Sequence, residues 1–360
     1  MSAVKFLMKN FNNTISKDLS STFGMILSKP LQISIQPNER CNARCIMCDC
    51  WHEKDDYINA DEIINVLDQL YKWVGKDFFV QIAGGEPLIY DGIFDIFKYC
   101  SERGIIIKIS TNGIALNEKT CDKIIASGLP YLSVSLDSHL PEIHDKYRGV
   151  PRTFERATNG IKYLSANSDM TLGITSILFR DNISTFADSV DYFLSLPIHR
   201  LLIQPIRIWT ENLPVEKWPE YEFWVNDQEA LAKTTAAILE MKKHDKRILN
   251  TEKDIQEWIT YFTNPGVLSN NKKKKCRIGY DRLSVNYKGK VFLGCHIHGS
   301  IGSIKESNLK EMWKSAKAQK IRKAMKNCHY PCTSNCFKEL SLGEKIQKAL
   351  LFMRSGLFSR

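Results

Sequence analysis

The chain alternates short runs of β-branched and aromatic residues with longer segments whose apolar residues recur at helical spacing. Apolar residues recur in this way between Ile63 and Val74, with acidic Asp61 and Glu62 in the first turn. Further helices are predicted at about 91–103, 116–128, 153–168 and 183–195. Six runs predict strands, at Leu31–Gln36, Phe78–Ala83, Ile105–Thr111, Tyr131–Leu136, Thr171–Leu178 and Arg200–Ile206. This order predicts an α/β fold of βα units around a parallel sheet.

The length of 360 residues exceeds one ordinary domain, so we expect a catalytic body with appended modules. The region 208–271 is helical in pattern and contains Trp209, Trp218, Trp224 and Trp258. These tryptophans either cap a site or pack against the last strand. The predicted parts are a lead-in at 1–30, an α/β body at 31–207, the tryptophan-rich region at 208–271, a small α+β domain at 272–340 and an amphipathic helix at 341–360.

Composition narrows the class of protein. Hydrophobic residues make up 43% and charged residues 25%, which excludes collagenous, disordered and coiled-coil chains. No apolar run approaches the ~20 residues of a membrane span, and no signal-peptide core is present, so a cytoplasmic location is expected. The net charge is +10, and residues 272–360 hold 21 Lys and Arg against 5 Asp and Glu. A solvated surface is the usual explanation, and an anionic partner is the alternative.

Cysteine is more informative than charge. The eleven cysteines include one group at Cys41, Cys45 and Cys48 and a second group at Cys276, Cys295, Cys328, Cys332 and Cys336. An odd total without a secretory signal favours thiolate ligands of a metal over disulfides. Three thiolates in a short loop suffice for three irons of a cubane cluster and leave the fourth iron open. A structural zinc loop completed by Cys50 or His52 is the alternative.

Polar motifs follow four of the predicted strands. Cys41 to Cys48 follows the first and Gly84-Gly85-Glu86-Pro87 the second, while Thr111-Asn112-Gly113 ends the third and Ser135 to Ser138 ends the fourth. The carboxyl ends of parallel strands meet at one edge of a sheet, where reactive groups collect. Turns explain each motif singly, but their coincidence with a cysteine cluster predicts an active site.

Together these motifs resemble the radical S-adenosylmethionine superfamily, over roughly residues 31–340. The resemblance implies a partial (β/α)6 barrel related to the TIM barrel. It implies a [4Fe–4S] cluster on Cys41, Cys45 and Cys48, with S-adenosylmethionine on the open iron. Cleavage of that sulfonium would yield a 5′-deoxyadenosyl radical that abstracts hydrogen from an unactivated C–H bond. An electron donor of flavodoxin or ferredoxin type is implied as a partner.

The resemblance also assigns roles to residues around S-adenosylmethionine. Met47 would pack beside the adenine, and Arg148, in the stretch from His144 to Gly149, would pair with the methionyl carboxylate. Ser135 and Asp137 would bind ribose hydroxyls or the carboxylate. The methionyl ammonium would be bound by the segment Gly84, Gly85, Glu86 and Pro87. Thr111 and Asn112 would shape the floor of the site, and Ser176 would line the adenosine pocket.

The second cysteine group is similar to a SPASM or shorter twitch extension. A hairpin pattern from Leu283 to Leu293, with its turn at Lys288 and Gly289, is followed by a helix through Trp313 and the closing cysteines. The resemblance implies one auxiliary [4Fe–4S] cluster, held by Cys276, Cys295 and two of Cys328, Cys332 and Cys336. A zinc ribbon is the alternative.

His296 directly follows Cys295 and is the candidate catalytic base, since a base lies near this position in related maturases. His298 or a purely structural role are the alternatives. Beyond Cys336, an apolar stripe from Leu342 to Leu357 is flanked by Lys345, Lys348 and Arg354. We expect this helix either to rest on an anionic membrane surface or, more commonly, to dock on the barrel.

The motifs do not specify the substrate. About 30 residues precede the first strand, too few for a peptide-recognition domain, so we expect a small molecule, of carbohydrate type or phosphorylated. The alternative in the same superfamily is peptide or protein maturation, including sulfatase-type activation. A non-catalytic metal-binding or RNA-binding protein is the alternative of another class. No alternation of basic and aromatic residues is apparent, so no specific nucleic acid is expected.

Overall fold

The structure is a computed structural model that describes most of the chain. No helix in the described ranges is long and apolar enough to cross a membrane. Cys332, Cys336 and the predicted C-terminal helix lie outside those ranges. The described residues are 16–17, 19–21, 26–48, 50–51, 57–208, 214–269, 276–328 and 330.

A single nine-stranded sheet forms the centre of the molecule, in the order β6-β5-β4-β3-β2-β1-β7-β8-β9. The six strands predicted from the sequence are all present, each within one residue of its expected ends. The strands are β1 (Gln32–Ile35), β2 (Phe79–Ile82), β3 (Ile106–Thr111), β4 (Tyr131–Ser135), β5 (Thr171–Leu178), β6 (Arg200–Pro205), β7 (Arg282–Val285), β8 (Lys290–Phe292) and β9 (Gly302–Ser303).

Helices connect the parallel strands and extend the C-terminal half. Among the helices that connect β1 to β6, α4, which begins at a proline, is the one the apolar pattern did not predict, because it is short and mostly polar. The helices are α1 (Ala60–Val74), α2 (Ile93–Arg103), α3 (Glu118–Ala126), α4 (Pro141–Arg148), α5 (Thr153–Asn167), α6 (Phe186–Ser195), α7 (Gln228–His244), α8 (Glu252–Thr263), α9 (Pro265–Ser269), α10 (Leu309–Lys314) and α11 (Ala316–Lys326).

The crossover helices cover one face of the sheet. Strands β1 to β6 are neighbours in chain order, and right-handed crossovers that all step in one direction place their helices on the same side. Along β2, Val80 and Ile82 on that side are fully buried, whereas Phe79 and Gln81 on the other side are half-buried. The uncovered side is called the inner face below. This arrangement is the predicted partial (β/α)6 barrel.

Strand β7 continues the barrel sheet, which the sequence did not predict. It pairs in parallel with β1, with Ile33 opposite Leu283 and Ser34 opposite Ser284. Strand β8 then returns antiparallel to β7, and the hairpin turn lies at Gly289 as expected. The C-terminal module is therefore joined to the barrel by backbone hydrogen bonds.

The described tryptophans of the region 208–271 pack in the protein interior. Trp218, Trp224 and Trp258 are at most 2% exposed. The indole N–H of Trp224 donates to the carbonyl of Phe262, and the Tyr261 hydroxyl donates to the carbonyl of Ile206 just past β6. These contacts favour packing against the last strand over a role as a cap. Trp209 lies outside the described residues.

The C-terminal module also packs on the N-terminal segment. Trp313 of α10 is fully buried, donates its indole N–H to the Ser28 carbonyl and meets Trp73 of α1 edge to face. The guanidinium of Arg322 lies over the Trp313 ring at 4.4 Å and donates to the carbonyls of Gly279 and Trp313. Residues from both ends of the chain therefore share one core.

The shared sheet predicts that the module and the barrel unfold together. Leu283 of β7 is 1% exposed, so Leu283→Ala should lower the free energy of unfolding by ~2–5 kcal/mol. Leu27→Ala, at a side chain that is 50% exposed, is the control and should change it by less than ~0.5 kcal/mol. Anaerobic urea unfolding, followed by tryptophan fluorescence and far-ultraviolet circular dichroism, measures both. Two separate transitions in the parent protein would contradict a single cooperative unit.

Candidate functional site

The loop that carries the first three cysteines begins at the end of β1, and backbone hydrogen bonds fix its first half. The amide of Gly85 donates to the carbonyl of Asn38 (3.1 Å), and the amide of Glu86 donates to the carbonyl of Arg40 (2.8 Å). A Cβ at position 85 would overlap the Arg40 carbonyl oxygen, so only glycine fits there. Gly85 thus lets the cysteine loop approach the end of β2, and the contact of the Gly-Gly pair with the methionyl ammonium stays a prediction.

The second half of the same loop is fixed by the end of α4. The amide of Arg44 donates to the Arg148 carbonyl (2.9 Å), and the amide of Ile46 donates to the Tyr147 carbonyl (3.1 Å). Gly149 caps α4 with φ 67°, and a Cβ there would overlap the Arg44 carbonyl oxygen. The loop is therefore held on both sides by close backbone contacts that require glycine.

Glu86 joins the second and third polar motifs. Its carboxylate is 1% exposed and accepts hydrogen bonds from the Thr111 hydroxyl (2.6 Å), the Asn112 amide (2.8 Å) and the Leu88 amide (3.1 Å). Burial raises the pKa of Glu86, and these three donors oppose that rise. Oε1 accepts two of the bonds and Oε2 one, so Oε2 retains an acceptor position for a cationic group. Pro87 begins the 3₁₀ turn that follows.

Asn112 reaches the cysteine loop directly. Its side-chain amide donates to Asn42 Oδ1 (2.7 Å) and lies 3.6 Å from Cys41 Sγ, which also accepts from the Ala43 amide (3.4 Å). Burial raises the pKa of Cys41 to about 11, although both donors act against it. The Cys41 thiol is therefore protonated at neutral pH until a metal displaces the proton. Asn42 was not identified from the sequence, because an asparagine between two cysteines carries no distinct signal.

A buried ion pair lies beside the second cysteine. Arg148 Nη2 donates to Asp137 Oδ2 at 2.6 Å, and Nη1 lies 3.9 Å from Cys45 Sγ. Burial disfavours the charge on Arg148, but Asp137 and Cys45 raise the pKa of the guanidinium above its ordinary value. The other Asp137 oxygen accepts from the Ile177 amide (2.9 Å), and the Asp137 side chain is not exposed.

The fourth motif contacts α4 through this ion pair. Asp137 was expected to bind ribose hydroxyls or the carboxylate, and Arg148 the methionyl carboxylate. In this structure the two residues pair with each other, and their roles towards S-adenosylmethionine stay predictions. His144 belongs to the same cluster, since its Nδ1 accepts from the Asp137 amide at 3.2 Å. Burial lowers the pKa of His144 well below its usual value, so the ring is neutral. Ser135 ends β4 and is half-buried.

Ser176 does not face the site. Strand alternation places Ser176 on the helix-covered side of β5, with buried Ile174 and Leu178, and its partner across the ladder is buried Ile203. Its hydroxyl is buried without a hydrogen-bond partner. The inward position next to it is Thr175, so strand β5 does not turn Ser176 towards the face on which an adenosine pocket was predicted.

The donor set around the first three cysteines fits an open cubane cluster. Cys41, Cys45 and Cys48 are partly exposed, and Met47 between them is buried in the apolar core. No three acidic, histidine or cysteine side chains in the described ranges converge on a point suited to a single metal ion. Thiolates that each bind a different iron of a cubane do not need to converge in this way.

Residues close in sequence to three cysteines of the second group pack around Gly279. A Cβ there would lie 2.9 Å from Met325 Sδ and 3.4 Å from Leu293 Cβ. Gly279 follows Cys276 by three residues, Leu293 precedes Cys295 by two, and Met325 precedes Cys328 by three. The fold therefore brings three of the five predicted ligands into one neighbourhood, and Cys332 and Cys336 lie outside the described residues.

His296 lies next to the inner face of the sheet. Its ring stacks on Phe292 with centroids 4.1 Å apart, and its Nε2 is 3.5 Å from the Ser284 hydroxyl. Ser284 pairs with Ser34 of β1, and the same register row continues through Gln81 and Lys108. The candidate base thus lies beside a row of residues that crosses the barrel.

Two cations next to the Tyr131 ring on the inner face were not identified from the sequence. Lys108 of β3 and Arg200 of β6 lie 5.8 Å and 5.0 Å from the centroid of the Tyr131 ring. Burial raises the pKa of Tyr131, although Arg200 opposes this rise. Within the described strands β1 to β7, the inner-face positions contain no Asp or Glu. The available signal was the charge of Lys108, which interrupts the isoleucine run from Ile105 to Ile109.

The model of the radical SAM superfamily matches residues 35–193, and that of the SPASM iron–sulfur cluster-binding domain matches residues 276–337. The chain belongs to the radical SAM superfamily. Radical SAM enzymes bind a [4Fe–4S] cluster and S-adenosylmethionine, and the SPASM match implies an auxiliary iron–sulfur cluster as well. The chain is thus an enzyme of this superfamily with an auxiliary-cluster module.

Curated radical SAM relatives act on different substrates. An AdoMet-dependent heme synthase of Methanosarcina barkeri is 25% identical over 305 residues, covering 81% of this chain and 85% of the relative. A PqqA peptide cyclase of Rhodopseudomonas palustris is 22% identical over 346 residues, covering 91% and 84%. The mycofactocin maturase MftC of Mycolicibacterium smegmatis is 26% identical over 172 residues, covering 47% and 42%.

Solved structures share the radical SAM fold. Streptococcus suis SuiB bound to S-adenosylmethionine has a TM-score of 0.64 and 17% identity, over 85% of this chain and 70% of its own. Native anSMEcpe with bound AdoMet has a TM-score of 0.63 and 14% identity, over 91% and 97%. At these identities the likeness supports the fold alone.

The loop contacts predict that Gly149→Ala disrupts the first cluster. The added Cβ would collide with the Arg44 carbonyl and move the cysteine loop, so we expect about four fewer irons per chain after anaerobic reconstitution. Gly104→Ala is the matched control, because Gly104 also caps a helix at φ 63° but meets only Lys76 Cδ at 3.9 Å. The control should keep its iron and lose only ~1–2 kcal/mol of stability. Equal iron loss in both variants would show that strain, rather than the loop contact, matters.

Proposed function

We propose that this radical SAM enzyme abstracts hydrogen from a polar, anionic small molecule bound against the inner face of the barrel, and oxidises or otherwise functionalises that C–H bond. The observation that carries the proposal is the pair of cations Lys108 and Arg200, which lie 5.8 Å and 5.0 Å from the centroid of the Tyr131 ring on the inner face. Cationic side chains that line a site favour carboxylate or phosphate groups on a ligand.

The residues around the first three cysteines would hold the reacting groups. Cys41, Cys45 and Cys48 would bind the cluster, and Glu86 Oε2 and the backbone near Gly84 and Gly85 would receive the methionyl ammonium. Thr111 and Asn112 would keep Glu86 and the cysteine loop in position, and Met47 would support the adenine side. When bound, the first cluster and S-adenosylmethionine supply a hydrogen-atom abstractor made from the adenosyl group, and the auxiliary cluster supplies a one-electron acceptor.

His296 is our candidate for the proton acceptor. Its Nε2 lies 3.5 Å from Ser284, which shares a register row with Lys108. A substrate anchored at Lys108 and Arg200 would therefore lie on the same face as this imidazole. Oxidation of a C–H bond requires the loss of one hydrogen atom, one further electron and one proton, and His296 would take the proton. A flavodoxin or ferredoxin is proposed as the electron donor.

Peptide maturation is the second candidate. The observation that favours it is the similarity to the PqqA peptide cyclase, which covers 91% of this chain. The heme synthases among the relatives favour a non-peptide substrate and cover up to 81% of the chain. The charged inner face leads us to place the anionic small molecule first.

Replacing Cys41, Cys45 and Cys48 together with alanine tests the reaction class. We expect the loss of about four irons per chain, because each thiolate binds one iron of the cubane. Formation of 5′-deoxyadenosine from S-adenosylmethionine under dithionite should fall to the background of the no-enzyme control. Cys100→Ala, at a buried helical cysteine outside both groups, should retain its iron. Cleavage that persists in the triple variant would refute the site.

The substrate class is tested with a cell extract separated by charge. Fractions retained on an anion-exchange resin should raise 5′-deoxyadenosine formation above the rate without extract. In Lys108→Met and Arg200→Gln this stimulation should fall at least tenfold, since each loses a charged contact. Lys119→Met removes the same charge from an exposed site on α3 and should retain the stimulation.

Two outcomes contradict the anionic substrate. Stimulation found only in unretained fractions would exclude it, as would full stimulation in both inner-face variants. A loss of about two hydrogens from a co-expressed peptide encoded beside this chain would favour the maturase instead. The triple cysteine variant fails in every fraction, so failure of the reaction class is distinguished from failure of the substrate class.

A further inference from the structure

Arg148 is the described cation whose guanidinium contacts both a cluster ligand and a buried carboxylate. Nη1 lies 3.9 Å from Cys45 Sγ and Nη2 lies 2.6 Å from Asp137 Oδ2. The Arg148 side chain is 9% exposed and that of Asp137 is fully buried. Charges buried in this way are screened little by water or salt, so they act strongly on their neighbours.

The pair is held rigidly on all sides. Asp137 Oδ1 accepts from the Ile177 amide, and the Asp137 carbonyl accepts from the Asn182 side chain at 2.7 Å. The Arg148 carbonyl accepts from the Arg44 amide within the cysteine loop. The distance between the guanidinium and Cys45 is therefore set by the same contacts that hold the loop, and does not depend on a flexible surface side chain.

The geometry also leaves part of Arg148 unused. Its Nε is buried and makes no hydrogen bond. Neutralising Asp137 requires only Nη2, whereas Nη1 also lies within 3.9 Å of the Cys45 sulfur. Hydrogen bonds and positive charge at a ligand sulfur stabilise the reduced cluster, which carries one more electron, and so raise its reduction potential.

We propose that Arg148 is a positioning residue that raises the reduction potential of the cluster held by Cys41, Cys45 and Cys48, and that Asp137 moderates this effect. The inference rests on the proposed assignment of that cluster to these cysteines. Arg148 acts through the Cys45 sulfur, and Asp137 acts by offsetting the guanidinium charge and fixing its orientation. The two residues therefore shift the potential in opposite directions.

A redox titration without S-adenosylmethionine tests the proposal. The measured quantity is the midpoint potential of the paramagnetic cluster signal that is lost in the triple cysteine variant. Arg148→Gln removes the charge and should make reduction roughly tenfold less favourable, a shift of about 59 mV to lower potential for a one-electron couple. Asp137→Asn leaves Arg148 uncompensated and should shift the potential upwards. Arg148→Lys keeps the charge without the fork and should lie between the parent and Arg148→Gln.

Arg152→Gln is the matched control. Arg152 follows the same helix, is 71% exposed and pairs with Glu155, so water screens its charge and the potential should not change. A purely structural role for the buried pair would move both variants in the same direction, which would overturn the proposal. So would an unchanged potential in Arg148→Gln accompanied by weaker binding of S-adenosylmethionine, since that result assigns Arg148 to the methionyl carboxylate.

The proposal can still be tested when one of the variants binds no cluster. If Arg148→Gln binds no cluster, the near-isosteric Asp137→Asn decides, and a potential equal to or below that of the parent overturns the proposal. If the triple cysteine variant keeps the titrated signal, the signal does not arise from these cysteines. In that case the proposed function is refuted, and the proposal about Arg148, which depends on it, is refuted with it. This outcome is recognised from the triple cysteine variant alone, without the potential of Arg148→Gln.

Discussion

The candidate site depends on the backbone contacts that hold the cysteine loop between β2 and α4. On one side the amides of Gly85 and Glu86 bond to loop carbonyls, and on the other side two loop amides bond to the end of α4. Both contacts require a glycine, Gly85 or Gly149, because a side chain there would overlap a loop carbonyl. Such a loop presents its thiols in one arrangement, and iron binding then has little ordering entropy to overcome.

Two buried carboxylates complete this arrangement, and neither lies open to solvent. Glu86 accepts from Thr111 and Asn112, which ties the second motif to the third. Asp137 accepts from Arg148 and Ile177, which ties the fourth motif to α4 and β5. Burial of an ionised carboxylate is costly, and here hydrogen bonds from fixed donors offset that cost. The polar motifs after successive strands therefore support one another before any ligand binds.

Much of this organisation was predictable from the sequence. The period of the apolar residues predicted all six barrel strands and most crossover helices, and the resemblance identified the superfamily that the family models then matched. Long-range pairing was not predictable, because nothing in the sequence near Leu283 specifies β1 as the partner of β7. The strand face of Ser176 was not predictable either, because a shift of one residue along a strand exchanges the inner face and the helix-covered face.

The pairing of β7 with β1 has a consequence for the reaction. The first three cysteines follow the carboxyl end of β1, whereas Gly294, next to Cys295, packs against Arg282 at the amino end of β7. Because β1 and β7 are parallel, the first three cysteines and the segment at Cys295 lie towards opposite ends of a ladder whose four residues span ~13 Å. His296 approaches this ladder at Ser284, whose hydroxyl lies 3.5 Å from its Nε2. The polarity of the two strands therefore decides which end of the ladder carries the first three cysteines and which end meets the segment at Cys295.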